Sequence, residues 1–268
     1  MYCGRVVGPT MPDHCQGRGG RLPCRGVKCK GFDGVGRGGQ GPDGSDILSY
    51  GQDELMGFYR TLLACYGPQE WWPGETAFEV MVGAVLTQNT NWNNVERAIA
   101  NLREGDLLTA SALDGISHEA LAGRIKPAGY FNIKARRLKN LVRWFCEAYG
   151  GQIEQLAEVP QDRLREELLS VNGIGKETAD SILLYALGKP TFVVDAYTYR
   201  ILVRHGCLGA ESSYEEVQEY CQSVLPEDRE LYNECHALIV RVGKEHCKPR
   251  PRCNGCPLEG FEHWVEEG

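Results

Sequence analysis

The sequence has no apolar run long enough to cross a membrane as a helix. One of its longest, residues 182–187 (ILLYAL), is far shorter than the roughly 20 residues that a bilayer requires. Basic residues are not in excess either, because 29 Lys and Arg stand against 36 Asp and Glu, for a net charge of −7. The first residues lack the apolar segment of a secretory signal peptide. These absences exclude an integral membrane protein, and we expect a cytoplasmic protein whose partners the total charge does not reveal.

The 12 cysteines lack the even spread of a disulfide framework. Four lie before residue 30, three lie close together between residues 247 and 256, and the others are scattered. In a chain with no secretion signal, such cysteines are expected to be reduced thiols, and clustered ones are candidate metal ligands. A secreted, disulfide-rich protein is therefore excluded.

Residues 1–46 have no apolar periodicity, and 13 of the 33 glycines fall within residues 1–44. Such a segment cannot bury enough apolar surface to offset the entropy that is lost on ordering. We therefore predict a disordered, glycine-rich leader over residues 1–46. Translation from a start codon placed too far upstream is the alternative.

Helical periodicity runs through most of the chain after residue 45, whereas the two-residue alternation of strands is scarce. Apolar residues recur at helical spacing, for example Phe78, Met81, Val82 and Val85. The same spacing follows a start signal at Asn93–Asn94, and it recurs over residues 138–145, 164–171 and 179–186. We predict an all-α fold with loops of about two to eight residues.

A tight turn joins two of these helices at residues 171–179 (VNGIGKETA), a segment that we call the hairpin. Its two glycines are expected to adopt positive φ angles and to leave the N–H groups at the start of the next helix unobstructed. Amides at a helix N-terminus bind phosphate without a basic side chain. We predict that Gly173, Gly175 and Lys176 contact the DNA backbone, with a purely structural turn as the alternative.

The hairpin is followed at a fixed distance by an apolar run, residues 192–194, and then by Asp195. In this combination the chain resembles the helix-hairpin-helix DNA glycosylases of the endonuclease III superfamily, over roughly residues 50–258. The resemblance implies a six-helix barrel over residues 71–189 and a second helical domain made by residues 47–70 and 190–268. It also implies a monomer whose partner is double-stranded DNA with a damaged base, associated with the nucleoid in a prokaryote, and a monovalent cation at the hairpin.

Asp195 lies just before a predicted helix, where an Asp is a good N-cap. A carboxylate fixed there can also stabilise the positive charge that develops on deoxyribose when an N-glycosidic bond breaks, and it can orient a water molecule. The resemblance implies that Asp195 is the catalytic carboxylate of a DNA N-glycosylase.

Glu177 occupies the hairpin position at which bifunctional relatives carry a lysine that attacks the sugar. Lys176, one residue earlier, is rotated by about 100° around the helix. We therefore predict a monofunctional enzyme without efficient lyase activity, and we place Glu177 beside Asp195 at the catalytic centre.

Aromatic residues on both sides of the first core helix are candidates for a base pocket. Trp71 and Trp72 are adjacent and cannot both face one core, so we expect them to stack on an extruded base, with domain-interface packing as the alternative. Trp92 would add a stacking face. Gln88 is predicted to fill the gap that the extruded base leaves in the DNA. The alternative is that it is only a polar residue at the C-terminus of a helix. Aromatic faces attract a cationic alkylated base.

The segment 175–180 (GKETAD), together with these aromatic residues, resembles the 3-methyladenine glycosylase branch of the superfamily, and we predict an alkylated purine as substrate. Residues 126–135 (KPAGYFNIKA) resemble a further loop that contacts the DNA backbone in the superfamily. Gly129 and Lys134 are the predicted contacts in this loop. The basic residues that follow it are Arg136, Arg137, Lys139 and Arg143.

Cys247, Cys253 and Cys256 form a C-x5-C-x2-C run near the end of the chain, which we call the cysteine loop. In the superfamily such a run ligates a [4Fe-4S] cluster. The resemblance implies the cluster here, but the position of the usual fourth cysteine is Glu262. Candidate fourth ligands are Glu262, His263, or one of the thiols of Cys207, Cys221 and Cys235. A zinc site of Cys₃His type and a loop without metal are the alternatives.

Two rivals to a monofunctional glycosylase stay open. The first is a bifunctional endonuclease III-type glycosylase and lyase, against which Glu177 argues. The second is a DNA-binding module without catalysis, which would tolerate the loss of Asp195.

Overall fold

The structure is a computed structural model that describes residues 47–69, 71 and 74–264, with side chains from residue 54 onward. Within these residues the regular structure is helical throughout, without a strand. The predicted all-α fold is confirmed. In this part of the chain no helix has both the length and the apolar character needed to cross a membrane. The predicted leader, residues 1–46, lies outside the described residues.

The described helices are α1 (Ile47–Tyr66), α2 (Ala77–Leu86), α3 (Trp92–Glu104), α4 (Ala110–Gly115), α5 (His118–Arg124), α6 (Phe131–Tyr149), α7 (Ile153–Ala157), α8 (Gln161–Ser170), α9 (Lys176–Ser181), α10 (Ala196–Arg204), α11 (Tyr214–Val224) and α12 (Arg229–Glu245). A 3₁₀ turn precedes α6 at Lys126–Ala128, and a π-helical turn follows α9 at Ile182–Ala186.

The start of α3 shows how local chemistry sets a helix boundary. The side chain of Asn91 accepts a hydrogen bond from the N–H of Asn94 at 3.1 Å, so the helix begins at Trp92. The sequence predicted this start at Asn93–Asn94, two residues later. An Asn is a good cap at either position, and the one that reaches a free amide becomes the cap.

Two hydrophobic cores lie within the compact unit Ile47–Gly268. The first core is built from residues between Phe78 and Leu183. The second joins residues of α1 to residues from Leu184 onward, and α1 packs against α11 and α12. The division between the cores falls inside the π-helical turn. A separation into two domains stays a prediction, because the contacts hold both cores in one unit.

A buried carboxylate ties the helix after the hairpin to its neighbours. Asp180 is fully buried and accepts two hydrogen bonds from the guanidinium of Arg165 on α8, at 2.7 and 3.1 Å. Each Asp180 oxygen accepts one of these two bonds, and Oδ2 also accepts hydrogen bonds from Tyr214 and Gln218 on α11, each at 2.8 Å. Such a paired and fully bonded carboxylate fixes the orientation of α9, and therefore of the hairpin, against α8 and α11.

Helices α10 and α12 approach closely at Gly243. A β-carbon at this position would lie 2.4 Å from Cδ1 of Tyr197, which is closer than atoms can pack. Only glycine therefore allows the first turn of α10 to lie directly against α12. Because Asp195 caps that turn, this contact also sets the distance between Asp195 and the side chains of α12.

Candidate active site

The two glycines of the hairpin have different geometries. Gly173 has φ +100°, and a β-carbon there would lie 2.3 Å from Cγ of Arg137. Gly175 has φ −97° and ψ 178°, which any residue can adopt, and a β-carbon there would contact nothing within 4 Å. The prediction of positive φ at both positions is therefore wrong for Gly175. Its lack of a side chain leaves open space in front of the hairpin backbone.

The first turn of α9 has no side-chain cap. The amides that follow Gly175 therefore face the open space with the positive end of the helix, which suits an anion. Lys176 is exposed, and its ammonium lies 2.6 Å from the carboxylate of Glu215. The charge of Lys176 is thus already paired at the start of α11.

Gln88 lies against the hairpin. Its amide donates hydrogen bonds to the carbonyl of Gly173 at 3.1 Å and to the hydroxyl of Thr178 at 3.0 Å. Its oxygen accepts a hydrogen bond from Arg137. In this structure the side chain therefore braces the hairpin, and a role in filling the gap in DNA would require it to release these contacts.

Asp195 caps α10, as predicted. Its Oδ1 accepts hydrogen bonds from the N–H groups of Tyr197 at 2.9 Å and Thr198 at 2.7 Å, and from the Thr198 hydroxyl at 3.0 Å. Burial acts to raise the pKa of Asp195, but the neighbouring His236 and the Thr198 donors outweigh it, so the pKa lies below its usual value. The side chain is therefore an ionised carboxylate whose second oxygen, Oδ2, receives no hydrogen bond from any described residue.

His236 on α12 faces this second oxygen, with Nε2 at 3.7 Å from Oδ2. The hydroxyl of Tyr185, on the π-helical turn, lies 2.6 Å from the other ring nitrogen. Trp71 stacks on the imidazole with ring centres 5.5 Å apart and planes at 17°, and it also contacts the ring of Tyr185 at 5.6 Å. The structure thus brings the predicted Trp71 and Asp195 to one site through a histidine and a tyrosine.

Glu177 is exposed, but it is near enough to Asp195 for the two carboxylates to interact. Loss of surrounding water and the charge of Asp195 raise the pKa of Glu177, and His236 partly opposes this. The shifts in the pKa values of the two carboxyls are therefore opposite in direction. Such a pair separates a carboxylate from a group that can hold a proton.

Of the three predicted pocket tryptophans, the structure describes Trp71 and Trp92, and it does not bring these two together. Trp72 lies outside the described residues. Trp92 packs on the first core beside Gly83, and its indole donates a hydrogen bond to Glu96 at 2.8 Å. Among the described aromatic pairs, no ring contact joins Trp92 to Trp71. Of these two described tryptophans, Trp71 reaches the site of Asp195, through its stacking on His236.

Lys134 does not contact solvent. It is 1% exposed, and its ammonium donates hydrogen bonds to the carbonyls of Leu86 at 2.9 Å and Ala128 at 2.7 Å. Burial and the charge of Arg137 lower its pKa to about 8. The predicted contact with a DNA phosphate is therefore wrong for Lys134, because the side chain holds two main-chain segments together in the interior.

The loop before Lys134 does reach the surface. Gly129 has φ +68° with open space around it, and the next residue, Tyr130, has φ +44° and is 68% exposed. A positive φ is uncommon for tyrosine, and a large exposed ring is costly in water. Gly129 was predicted from the sequence but Tyr130 was not, and the only signal for Tyr130 was its place in the same motif.

His236 and Tyr185 were missed as site residues, and Arg137 was named only as part of the basic stretch after the loop. His236 lies on the apolar face of α12, between Cys235 and Leu238 of the second core. The available signal was a histidine at a core-facing position of an amphipathic helix, which is more often a structural residue. Its approach to Asp195 depends on the packing of α10 on α12, which no local pattern encodes.

The cysteine loop encloses a small cavity behind α10 and α12. It is lined by the three loop cysteines and by three histidines, namely Cys247, Cys253, Cys256, His205, His246 and His263. Arg204 on α10 donates a hydrogen bond to the sulfur of Cys247 at 3.3 Å. In the described chain, no three Cys, His, Asp or Glu side chains converge on a point that would hold a single metal ion.

The candidate fourth ligands differ in position. Glu262 is exposed. The thiol of Cys207 donates a hydrogen bond to Glu54, and Cys221 and Cys235 are buried in the second core. Of these candidates only His263 lines the cavity. Its Nδ1 lies 2.8 Å from the carbonyl of Phe261, which places the proton on Nδ1 and leaves Nε2 as a lone-pair donor.

The fold, the open hairpin and the capped carboxylate define a helix-hairpin-helix protein of the DNA glycosylase class. The family model for HhH-GPD superfamily base excision DNA repair proteins matches residues 82–227. A Methanocaldococcus jannaschii protein, whose name assigns it provisionally to the DNA repair glycosylases, is 50% identical over 205 residues, which are 76% of this chain and 93% of that protein. The chain belongs to the HhH-GPD superfamily, and it is a DNA N-glycosylase.

Solved structures show the same likeness. The H. pylori 3-methyladenine DNA glycosylase bound to 1,N6-ethenoadenine is 30% identical, with a TM-score of 0.62, and the match covers 73% of this chain and 97% of that one. A trapped covalent intermediate of endonuclease III with DNA is 25% identical, with a TM-score of 0.64, and covers 80% and 93%. The endonuclease III-like fold that the sequence predicted is confirmed.

Proposed function

We propose that this protein is a monofunctional glycosylase that hydrolyses the N-glycosidic bond of an alkylated purine in double-stranded DNA. The observation that carries the proposal is Asp195. One of its oxygens is anchored by three hydrogen bonds, and the other receives none from a described residue. A rigid, ionised carboxylate with one free oxygen can stabilise the developing positive charge of the sugar and orient a water molecule.

Glu177 takes the second role at the site. Because its pKa is raised while that of Asp195 is lowered, Glu177 is the more readily protonated of the two carboxyls, which suits a position near the departing base or the attacking water. A carboxyl group cannot form a Schiff base with the sugar, which needs an amine. Lys176 does not replace it, because its ammonium is paired with Glu215.

The alkylated purine as substrate is supported by Trp71 and by one relative. An indole face attracts a cationic base, and Trp71 lies beside the rings of His236 and Tyr185 near Asp195. The structurally similar H. pylori protein is a 3-methyladenine glycosylase with ethenoadenine bound. A methylated purine is also a good leaving group, so the modest acid chemistry of this site suffices.

The duplex would bind at the open N-terminus of α9 and at the loop of Gly129 and Tyr130, whose exposed ring can pack against bases. The carbonyls of Val171, Asn172 and Gly173 each accept one hydrogen bond and keep a second lone pair, which allows a monovalent cation at the hairpin.

We propose that the protein acts as a monomer on cytoplasmic DNA, nucleoid-associated in a prokaryote. No disulfide is formed among the described cysteines, which suits a reducing compartment.

The cysteine loop is suited to a [4Fe-4S] cluster held by its three cysteines and His263. In such a cluster each ligand binds a different iron, so the ligands surround a cavity instead of converging on one point, as they would for zinc. The three thiols and His263 line one cavity, and this shared lining is the observation that supports the cluster. The cluster would brace the loop, since base hydrolysis transfers no electron.

The ligand set is tested by iron and sulfide content after anaerobic purification. We expect about four iron atoms per wild-type chain, retention in His263→Cys, and loss in His263→Ala. His118→Ala, a histidine remote in sequence from the loop, is the matched control. Full iron content in His263→Ala would exclude His263 as a ligand, and stoichiometric zinc in the wild type would replace the cluster.

The function is tested on duplexes that each carry one defined lesion, including 3-methyladenine, ethenoadenine, oxidised pyrimidines and mismatched thymine. We expect free alkylpurine to be released and the strand to break only after alkali treatment. Strand cleavage without alkali, together with a borohydride-trapped adduct in high yield, would establish the bifunctional alternative. Binding without release of any base would establish the non-catalytic alternative.

A further inference from the structure

The imidazole of His236 is buried, and only one of its two ring nitrogens has a hydrogen-bond partner among the described residues. One ring nitrogen contacts the Tyr185 hydroxyl at 2.6 Å, whereas Nε2 is buried with no hydrogen-bond partner among the described residues. The closest charged group is Oδ2 of Asp195, at 3.7 Å. This separation is longer than a hydrogen bond and too short for a bridging water. A movement of less than about 1 Å would close it into a hydrogen bond.

Tyr185 and Asp195 together favour one tautomer of His236. Burial and the charges of Asp195 and Glu177 hold the pKa of the Tyr185 hydroxyl well above its usual value, so the hydroxyl keeps its proton and is able to donate to Nδ1. Nε2 faces Oδ2 of Asp195, a carboxylate oxygen that can only accept, which favours the imidazole proton on Nε2 and the Tyr185 hydroxyl as donor to Nδ1. A neutral imidazole that accepts a hydrogen bond at Nδ1 carries its own proton on Nε2. That N–H then points towards Asp195.

We propose that Tyr185 and His236 are positioning residues, in which the Tyr185 hydroxyl fixes the tautomer of His236 and the Nε2–H of His236 orients the free oxygen of Asp195. The inference rests on the proposed role of Asp195 as the catalytic carboxylate. Contacts at an empty active site are often long and tighten when substrate is bound. On this proposal the 3.7 Å separation between Nε2 and Oδ2 shortens to hydrogen-bond distance when the damaged nucleotide is bound.

The same imidazole is part of the base-pocket wall. Trp71 stacks on His236, and the side chain of Asn233, one turn earlier on α12, donates a hydrogen bond to the Trp71 carbonyl at 3.2 Å. A base that packs on Trp71 can therefore shift the stacked imidazole of His236, which is the ring that faces Asp195. Tyr185 lies on a π-helical turn, an irregularity that is frequent at functional sites.

The titratable groups around His236 determine how the excision rate depends on pH. They are Asp195 at the start of α10, Glu177 on α9, Tyr185 on the π-helical turn, and Cys235 on α12 itself. Removal of the imidazole leaves Asp195 with burial and the nearby Glu177, both of which disfavour the charged form. The pKa of Asp195 would then rise, and the acid limb of the rate profile would move to higher pH.

Single-turnover excision at several DNA concentrations gives two quantities. The rate constant reports on the chemical step, and the DNA concentration at half-maximal rate reports on binding. We expect Tyr185→Phe, which removes only the hydroxyl, to lower the rate constant about 10-fold, and His236→Phe, which keeps a ring against Trp71, to lower it about 100-fold. The DNA concentration at half-maximal rate should change little. His236→Gln, which can place an amide N–H near Asp195, should recover part of the rate. Tyr149→Phe, which removes a hydroxyl that donates to Glu167, is the matched control.

Nitrogen NMR shifts of the histidine side chains test the tautomer without any activity. The wild type should show His236 protonated at Nε2, assigned by its absence in His236→Gln, and Tyr185→Phe should show a mixture of tautomers. An Nδ1-protonated wild type overturns the proposal, as does His236→Phe with unchanged rate and acid limb. If His236→Phe leaves the rate and the acid limb unchanged while Asp195→Asn abolishes excision, only the positioning role is overturned and Asp195 stays the catalytic carboxylate. If the wild type excises no lesion, the proposed function fails and the NMR result still decides the tautomer.

Discussion

Replacing each hairpin glycine by alanine separates a folding role from a binding role. Gly173→Ala places a β-carbon on a residue with φ +100° and 2.3 Å from Cγ of Arg137. The positive φ costs about 1–2 kcal/mol for a non-glycine residue. Arg137 must also move, and its hydrogen bond to Gln88 is worth about 1–2 kcal/mol more.

The total predicted loss of stability for Gly173→Ala is roughly 2–4 kcal/mol. For a body of this size each kcal/mol lowers Tm by about 2–4 °C, so thermal unfolding should show a decrease of roughly 4–16 °C. Urea unfolding at 25 °C supplies the free energy directly.

Gly175→Ala is the matched control. Its φ of −97° suits alanine, and the new methyl group contacts nothing within 4 Å, so stability should change by about 1 kcal/mol or less. The methyl group instead occupies the space that a phosphate needs, and duplex affinity should fall about 10-fold or more. Equal melting temperatures for the two variants, or wild-type DNA affinity for Gly175→Ala, would refute the assignment of the two roles.

Other perturbations test the interior and the loop. Asp180→Asn leaves the half-buried guanidinium of Arg165 without its counter-ion and should lower the unfolding free energy by about 3–5 kcal/mol in urea, whereas a small effect would show that the ion pair is dispensable. Lys134 has a folded-state pKa of about 8, below its ordinary 10.5, so the unfolded chain binds the extra proton between these values and stability increases with pH there. The stability advantage of wild type over Lys134→Met should therefore grow by about 2 kcal/mol from pH 8 to 10, while the salt dependence of DNA binding stays the same; a flat difference would contradict the buried charge. Tyr130→Ala should weaken duplex binding at unchanged Tm, and a lower Tm would show that the exposed ring is structural.

Much of the fold could be predicted because it depends on local patterns. The apolar spacing of Phe78 to Val85 lies within α2, and the segment around Leu138 lies within α6. The cap at Asp195 is also local, since its donors are only two and three residues away. These signals need no knowledge of the tertiary structure.

Other parts of the site depend on tertiary packing. Lys134 is a residue type that is almost always exposed, yet two carbonyls in the interior hold its ammonium. His236 and Asp195 are far apart in sequence and meet because Gly243 lets α12 approach Tyr197. The motif predicted one geometry for both hairpin glycines, but the neighbouring Arg137 occupies the space at Gly173 alone.

The most direct test of the account is single-turnover release of an alkylated purine by the wild type and by Asp195→Asn, at equal folded concentration and saturating enzyme. Asparagine keeps the shape of the side chain but removes the charge that stabilises the sugar cation. We expect the wild type to release the free base and leave an intact abasic strand, and Asp195→Asn to be slower by about 1000-fold, or 4 kcal/mol. Equal rates for the two proteins would contradict the assignment of Asp195 as the catalytic carboxylate.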